Sequence, residues 1–537
     1  MYVLPTFDLL LRLVAAGNAL PILASGPSRE YHTPSPKDNP MNRPYSTSQS
    51  RRNRPAFLTF VLAFAISFAV APAHAQLVKI SADSFHNSAS QHKTEVEPDT
   101  YSWGSTMVAA FQVARVDDGG GADIGFATST DGGTTWTYGS LPGLTVNYKN
   151  GPNSAASDAS VVYDAKHGVW LICTLPIGNS GDNVAVSRSS DGLHWDKPVM
   201  IDSSGGDDKN WITCDNNANS KYYGHCYAEW DTPEILLSTS TDGGQTWGAA
   251  KGSGDQVFGS GAEPLVQPNG QVVVTFLGNN MMAFTSTNGG TSWGSSFTIA
   301  PVNTFQGNST LRSVGLPFPS TGIDKSGKLY VVWSDCSFRT NCSTNDLVLI
   351  TSTNGTKWTK PARIPIDPLT STVDHFIPGL GVDRSASGST AQLATTYYYY
   401  PKASCDDTTC EIHVGFTVSE DGGKTWTAGK DLGAGPMKIS WLPASQNGPM
   451  LADYLSSSYV NGKAFGVFMV AKAPANGLFN EAAYTTKNPL EASAGEPRFS
   501  SRGENRIPGV HSDRPFPRSQ GEERESPSAP PAKDGQK

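Results

Sequence analysis

The octapeptide STDGGTTW, Ser129 to Trp136, returns five more times with small changes: SSDGLHW at Ser189 to Trp195, STDGGQTW at Ser240 to Trp247, STNGGTSW at Ser286 to Trp293, STNGTKW at Ser352 to Trp358 and SEDGGKTW at Ser419 to Trp426. Copies recurring every 46 to 67 residues mark a chain of repeated units, each the size of one four-stranded sheet with its loops. Each copy follows a short apolar run, such as Ile124-Gly125-Phe126-Ala127 or Leu347-Val348-Leu349-Ile350, and so reads as a hairpin turn between two strands. Asp-Gly and Asn-Gly suit that turn, because glycine accepts a positive φ and the Asx oxygen accepts nearby backbone N–H groups. The tryptophan that follows is expected to fold its apolar face over the hairpin and fill space beside the next sheet.

Two copies carry Asn288 and Asn354 in place of aspartate. Asparagine keeps the acceptor and loses the charge, so the position needs an acceptor and is structural, not catalytic. In register and wording the copies resemble the Asp box, or BNR repeat, of the sialidase-like family. The resemblance implies an all-β fold, a β-propeller with Asp-box hairpins between the outer strands of its blades.

The units can be counted. Upstream of each box lies a short strand and then a strongly apolar one, as in Glu97-Pro98-Asp99 with Met107 to Phe111, or Gly322-Ile323-Asp324 with Leu329 to Trp333. After the last box comes one more unit, from Met450 to Tyr484, without a box, and Leu77 to Ile80 forms an orphan strand before the first. Joining the orphan to the incomplete unit closes a ring and protects its edges. The expectation is seven blades over residues 76–490, with six blades, as in sialidases proper, the alternative.

Residues 1–75 read as an N-terminal extension and signal peptide. Arg51-Arg52-Asn53-Arg54, the apolar run Phe57 to Val70 and Ala73-His74-Ala75 supply its basic, apolar and small-residue parts, with a start at Met41 and cleavage after Ala75. The expected location is secreted or periplasmic, with membrane contact only through an uncleaved signal. Six cysteines fall into local pairs, Cys214 with Cys226, Cys336 with Cys342 and Cys405 with Cys410, and are expected to staple loops as disulfides; Cys173 is left as a buried thiol. Residues 491–537, rich in Pro, Ser, Gly, Arg and Glu, are expected to be disordered. A net charge of -8 supplies no basic patch for nucleic acid, so the expected partner of a monomeric chain is a carbohydrate or cell-surface glycan.

Residues opening the innermost strands should meet in space: Glu97, Asp158, Asp208 with Lys209, Glu263, His375, and Asp453 with Tyr454. Acids gathered this way can divide general acid and base work if their pKa values separate. In the resembled family, arginines hold the substrate carboxylate and a Glu-activated Tyr is the nucleophile. Carried onto this chain, Arg115 matches the arginine ending a second strand, while Glu263 and Tyr454 match the Glu and Tyr. Asp158 and Asp453 join Glu263 and Tyr454 as catalytic candidates; Arg115, Glu97, Lys209 and His375 are the substrate-binding candidates. Val96 and Leu277 stand where two further arginines are expected, which counts against the family's standard mechanism. Arg363-Ile364-Pro365 imitates the missing motif but follows the fifth box, on an outer strand.

No metal centre or cofactor is expected, although Asp207, Asp208, Asp215, Asn216 and Asn217 supply oxygens of the kind that hold calcium. Tyr397 to Tyr400 alternate along a strand, and two of them are candidates for sugar stacking. The leading functional expectation is a propeller engaging extracellular glycans or another surface ligand at its channel mouth. The alternatives are an active glycoside hydrolase, exo-α-sialidase-like or other, and a non-catalytic scaffold or protein-binding propeller of the cell envelope.

Overall fold

The computed structural model describes residues 75–501. The segment expected to be a signal peptide, the expected start at Met41 and the tail beyond Ser501 lie outside the described residues. Those described are all-β, with single 3₁₀ turns at Thr340–Cys342, Gly388–Thr390 and Ile439–Trp441. No helix among them is long and apolar enough to cross a membrane.

The main strands form seven antiparallel groups of four. The first holds Glu95–Trp103, Thr106–Arg115, Gly121–Ser129 and Thr137–Ser140, paired in chain order. The second, Ala155–Asp164, Val169–Gly178, Val184–Ser189 and Val199–Asp202, is tied to it by the single pair Gly121 and Ala156. The third to sixth begin with Asp208–Cys214, Ser260–Val266, Ser320–Ile323 and Asp374–Val382, and run outward in the same order. The seventh begins with Ser456–Val460 and takes its outermost strand from the other end of the chain, Leu77 pairing with Thr486 and Lys79 with Tyr484.

Second strands such as Val272–Leu277 and Leu329–Asp335 are buried at every position, because apolar side chains on both faces are covered by neighbouring sheets. Between the second and third groups, for instance, Val162, Leu171, Cys173 and Val186 pack on Ile212, Cys226 and Trp230. Each large side chain buried this way contributes about 1.5–3 kcal/mol. The first strands touch in succession through all seven groups, and Ser456–Val460 returns to touch Glu95–Trp103. About 750 Å³ of open space is lined by first-strand residues of every group, including Thr100, Val161, Thr213, Leu265, Thr321, Val382 and Ser458.

Every octapeptide sits between the third and fourth strands of its group. In the first, Ser129 Oγ accepts from Gly133 N–H (2.8 Å) and donates to Asp131 Oδ1 (2.8 Å), which also accepts from the Thr134 and Thr135 amides. Asn288 reproduces this: its Oδ1 accepts from Ser286 Oγ and Ser292 N–H, both at 3.0 Å. The turn therefore needs the acceptor and is indifferent to the charge. Trp426, fully buried, donates its indole N–H to Gly423 O at 3.2 Å.

The three local cysteine pairs are disulfides, and Cys173 is a buried free thiol. The chain stays structured past residue 491: Arg498–Ser500 pairs with Thr425–Thr427, laying Phe499 opposite Trp426. Composition misplaces this boundary because backbone pairing and polar bonds, Arg498 Nη2 to Glu420 (2.7 Å) and Ser501 Oγ to Gly423 O (3.1 Å), need few apolar residues.

Candidate functional site

Five of the seven first strands carry the same irregularity. Between Val96 and Asp99, Ser157 and Ser160, Asp208 and Trp211, Ser260 and Glu263, and Phe376 and Gly379, two residues face one on the partner strand. The first extra residue is left-handed each time: Glu97 (φ 55°), Asp158 (47°), Lys209 (48°), Gly261 (64°) and Ile377 (49°). A bulge of this type normally places glycine there. Glu, Asp, Lys and Ile each cost about 1–2 kcal/mol in that conformation, so the strain is held by the surrounding sheet.

Three of the bulge residues converge. Lys209 Nζ lies 3.6 Å from Glu97 Oε1 and 3.7 Å from Asp158 Oδ2, and donates to Asp453 Oδ2. Arg312 clamps the same Asp453 through Nε (2.9 Å) and Nη2 (2.7 Å), and Ser313 Oγ donates to it. Gln112 donates to Glu97 and to Ser157 Oγ (3.0 Å), and Ser157 Oγ donates to Asp158 Oδ1 at 2.6 Å. Burial opposes the charge on Lys209, but Asp158, Asp453 and Glu97 raise its pKa well above the usual ammonium value. Burial also disfavours charge on Asp453, yet Arg312 and Lys209 outweigh it and hold this carboxyl well below its ordinary range. Glu97 goes the other way: burial, reinforced by Asp158, pushes it well above the carboxylate range. The cluster is thus an ammonium and a guanidinium sharing one firmly ionised aspartate, with a neutral Glu97 alongside.

Beside it opens a small pocket lined by Lys209, Asn210, Trp211, Glu263, Phe318 and Tyr454, among others. Trp211 and Tyr454 meet edge to face with centroids 5.3 Å apart, and Lys209 Nζ lies 5.6 Å from the Phe318 ring centre. Glu263 accepts from Thr321 N–H (2.8 Å) and Oγ (2.6 Å); burial nonetheless pushes it up to about 8. It is therefore a hydrogen-bond donor at neutral pH. Tyr454 donates to Ala159 O at 3.4 Å, and burial with Glu97 and Asp158 nearby raises its phenol well above the usual value, which opposes ionisation.

The structure thus brings Glu97, Asp158, Lys209, Asp453, Tyr454 and Glu263 to one end of the first strands. It does not bring His375, which donates Nδ1–H to Asn345 O (3.1 Å), lies 4.0 Å from Asp367 Oδ2 and packs on Tyr397. The bulge puts Ile377 where the spacing had placed His375. Arg115 is buried with Nη1 on Gly120 O (2.8 Å) and Gln112 Oε1 (3.4 Å), and Gln112 links it to the cluster. Val96 and Leu277 are buried apolar residues, and Arg363 joins Asp346 and Asp367 on an outer strand.

Tyr397, Tyr398 and Tyr400 are buried and offer no stacking surface, which corrects the expectation from their alternation: both faces of this strand are covered. The five oxygen donors considered for calcium face different neighbours. Asp208 turns to the Lys209 amide, Asp215 accepts from Asn217 N–H, and Asn216 bonds Tyr163 O and Ala165 N–H.

Sequence reasoning missed Arg312, Ser313, Phe318 and Gln112. Three of these sit in residues 301–319, a strandless connection between the fourth and fifth groups. Its length was the available signal, since loops this long without elements of their own are commonly functional. It is anchored at Asp407, whose carboxylate accepts from Thr310 N–H (2.7 Å) and Oγ (2.6 Å), and Arg312 N–H donates to Pro449 O at 2.9 Å.

No family model and no curated protein matches the chain. Among solved structures it is similar to a protein of unknown function from Dyadobacter fermentans, at 15% identity over 65% of this chain and 98% of that one, with a TM-score of 0.40. It is also similar to the NanB sialidase of Streptococcus pneumoniae, at 13% identity over 77% of this chain and 70% of that one (TM-score 0.36). An ulvan lyase bound to its saccharide matches at 12% identity over 76% of this chain and 95% of that one, with a TM-score of 0.41.

Proposed function

We propose that the protein is an exported, seven-bladed propeller of the sialidase-like kind that binds a glycan at one mouth of its central channel, without the family's arginine-dependent hydrolysis. The closed succession of first strands, the space they line and the N-terminal strand completing the seventh group support the architecture. Three disulfides support an oxidising compartment.

The observation that carries the function is the pocket itself. Trp211, Phe318 and Tyr454 give it aromatic walls, and Lys209, Asn210 and neutral Glu263 give it fixed polar groups. A sugar ring needs that mixture: an apolar face to stack and donors for its oxygens. Hydrolysis with Asp453 as base or nucleophile is disfavoured, because Lys209, Arg312 and Ser313 occupy both of its oxygens. Calorimetric titration with a panel of free oligosaccharides tests the reading. Binding that weakens at least tenfold in Trp211→Ala is expected; no binding to any member, or affinity untouched by that change, would refute it.

One observation favours a glycosidase instead. Glu263 lines the pocket, and burial pushes its carboxyl up to about 8, the direction a general acid needs. On that reading an aryl glycoside, a sialoside included, releases its fluorophore at a rate cut at least a hundredfold by Glu263→Gln. No release from any member leaves binding as the function.

A further inference from the structure

The open space lined by the first strands does not end at the pocket. Its lining runs from Trp211 and Glu263 to Arg384 and Tyr459. Six residues of extended strand separate Glu97 from Trp103, about 20 Å at 3.3 Å per residue, so the two mark opposite ends of the first group.

At this far end, Trp103 is 37% exposed, although a tryptophan gains by being buried. It stacks on Tyr163 with ring centres 5.3 Å apart and planes 29° from parallel, and Tyr163 rests in turn on Trp170 at 4.9 Å. The indole is therefore held in place and still faces solvent. Beside it lies Arg384, also exposed, its guanidinium carbon 4.0 Å from the Tyr101 ring centre. Arg384 Nη2 donates to the carbonyl of Ser102, the residue before Trp103. The arginine springs from a tight turn in which Asp383 accepts from Ser385 N–H (2.8 Å) and Oγ (2.9 Å), which occupies the one carboxylate adjacent in sequence.

We propose that Trp103, Tyr163 and Arg384 form a second binding site, at the opposite end of the channel from the pocket, for a sugar that carries a carboxylate. Trp103 supplies a stacking platform at little entropic cost, because its ring is already fixed. Arg384 presents a planar, oriented guanidinium to the sugar's carboxylate, and such a fork recognises carboxylates in two parallel hydrogen bonds. Ser102, Ser458 and Tyr459 line the same open space as Arg384. This site shares no residue with the pocket lined by Trp211, Glu263 and Tyr454, so it stands whether or not that pocket binds a glycan.

The test titrates a glucuronic-acid disaccharide, and its neutral methyl ester, into the intact protein and into Trp211→Ala, followed by tryptophan fluorescence and calorimetry. The acid is expected to bind both proteins alike and at least tenfold more tightly than the ester. Arg384→Met should remove that preference, and Trp103→Ala should weaken both ligands at least tenfold, with thermal melting lowered by no more than about 3 °C, because in a chain of this size each kcal/mol of lost packing moves it only about 1 °C. Trp103→Phe, which keeps a ring on Tyr163, should recover part of the loss. Equal affinity for acid and ester, loss of binding in Trp211→Ala, no saturable binding, or affinity indifferent to both Trp103 and Arg384 would each overturn the proposal. Loss of binding in Trp211→Ala would assign the ligand to the pocket instead.

Discussion

Replacing Lys209 with methionine removes the one ammonium that three buried acids share, while keeping the length of the side chain. Lys209 is 8% exposed, Asp453 1% and Glu97 1% at the side-chain level, so water does not make good the loss. Breaking a buried ion pair by removing one partner costs about 3–5 kcal/mol. For a domain spanning residues 75–501, an unfolding entropy of about 2.1 cal/mol/K per residue converts 4 kcal/mol into a melting shift of about 4–5 °C. The pH dependence distinguishes charge from packing. Without the ammonium, the folded variant takes up about one more proton than the wild type, on Asp453, which loses one of the two cations that keep it ionised. Its deficit therefore shrinks by about 1.4 kcal/mol for each unit of falling pH until the unfolded acids also protonate. Urea unfolding followed by tryptophan fluorescence should show a loss of about 4 kcal/mol at pH 8 and about 1 kcal/mol or less at pH 5. An equal loss at both pH values would refute the charge argument and leave Lys209 a packing residue.

Three further outcomes follow from the same structure. Burial pushes Glu95, Asp207 and Glu263 up to about 8 and Asp99 and Asp374 up to about 7, so between about pH 4 and 8 the folded chain binds more protons than the unfolded one. Stability should fall as pH rises through that window, and thermal melts at pH 5 and 8 that show the opposite order would contradict it. In the first octapeptide, Asp131→Asn should leave stability within about 0.5 kcal/mol, because Asn288 already fills the equivalent place, whereas Asp131→Ala should lower the melting temperature clearly. Replacing Cys405 and Cys410 together by serine should cost about 2 kcal/mol. It should also weaken ligand binding at the pocket, which neither cysteine touches, because Asp407 between them anchors the segment that carries Arg312.

The fold was legible wherever it depends on a local rule repeated in register. Asx-Gly turns with a following tryptophan located six hairpins, and the spacing between them delimited the sheets. The missing box after Met450 and the orphan strand at Leu77 together pointed to the pairing of Leu77 with Thr486. The tail boundary was not legible, because Arg498–Ser500 is held by pairing with Thr425–Thr427 and by the bond from Arg498 to Glu420, and not through an apolar composition of its own. Arg312 was invisible for a related reason: a residue in a strandless connection has no periodicity, and only the three-dimensional path of residues 301–319 brings it to Asp453.

The bulges explain the pattern of success and failure at the site itself. Strand alternation assumes two residues per repeat, and a bulge inserts one that the alternation does not count. The reading that gathered Glu97, Asp158 and Lys209 therefore named true bulge positions, whereas at the fourth and sixth strands it chose Glu263 and His375, each two residues from the actual bulges at Gly261 and Ile377. Glu263 still reaches the pocket because it is the first residue after the fourth bulge, back in register opposite Thr275. His375 precedes its bulge and turns instead to Asn345. Glycine fits the left-handed position without strain, as Gly261 demonstrates among the same first strands. That Glu, Asp and Lys occupy three of the five positions means their side chains contribute something glycine does not. What they make together is the charge cluster on Lys209, so the backbone strain and the buried electrostatics have one origin, and the end of the strands where they coincide is where ligand chemistry is to be sought.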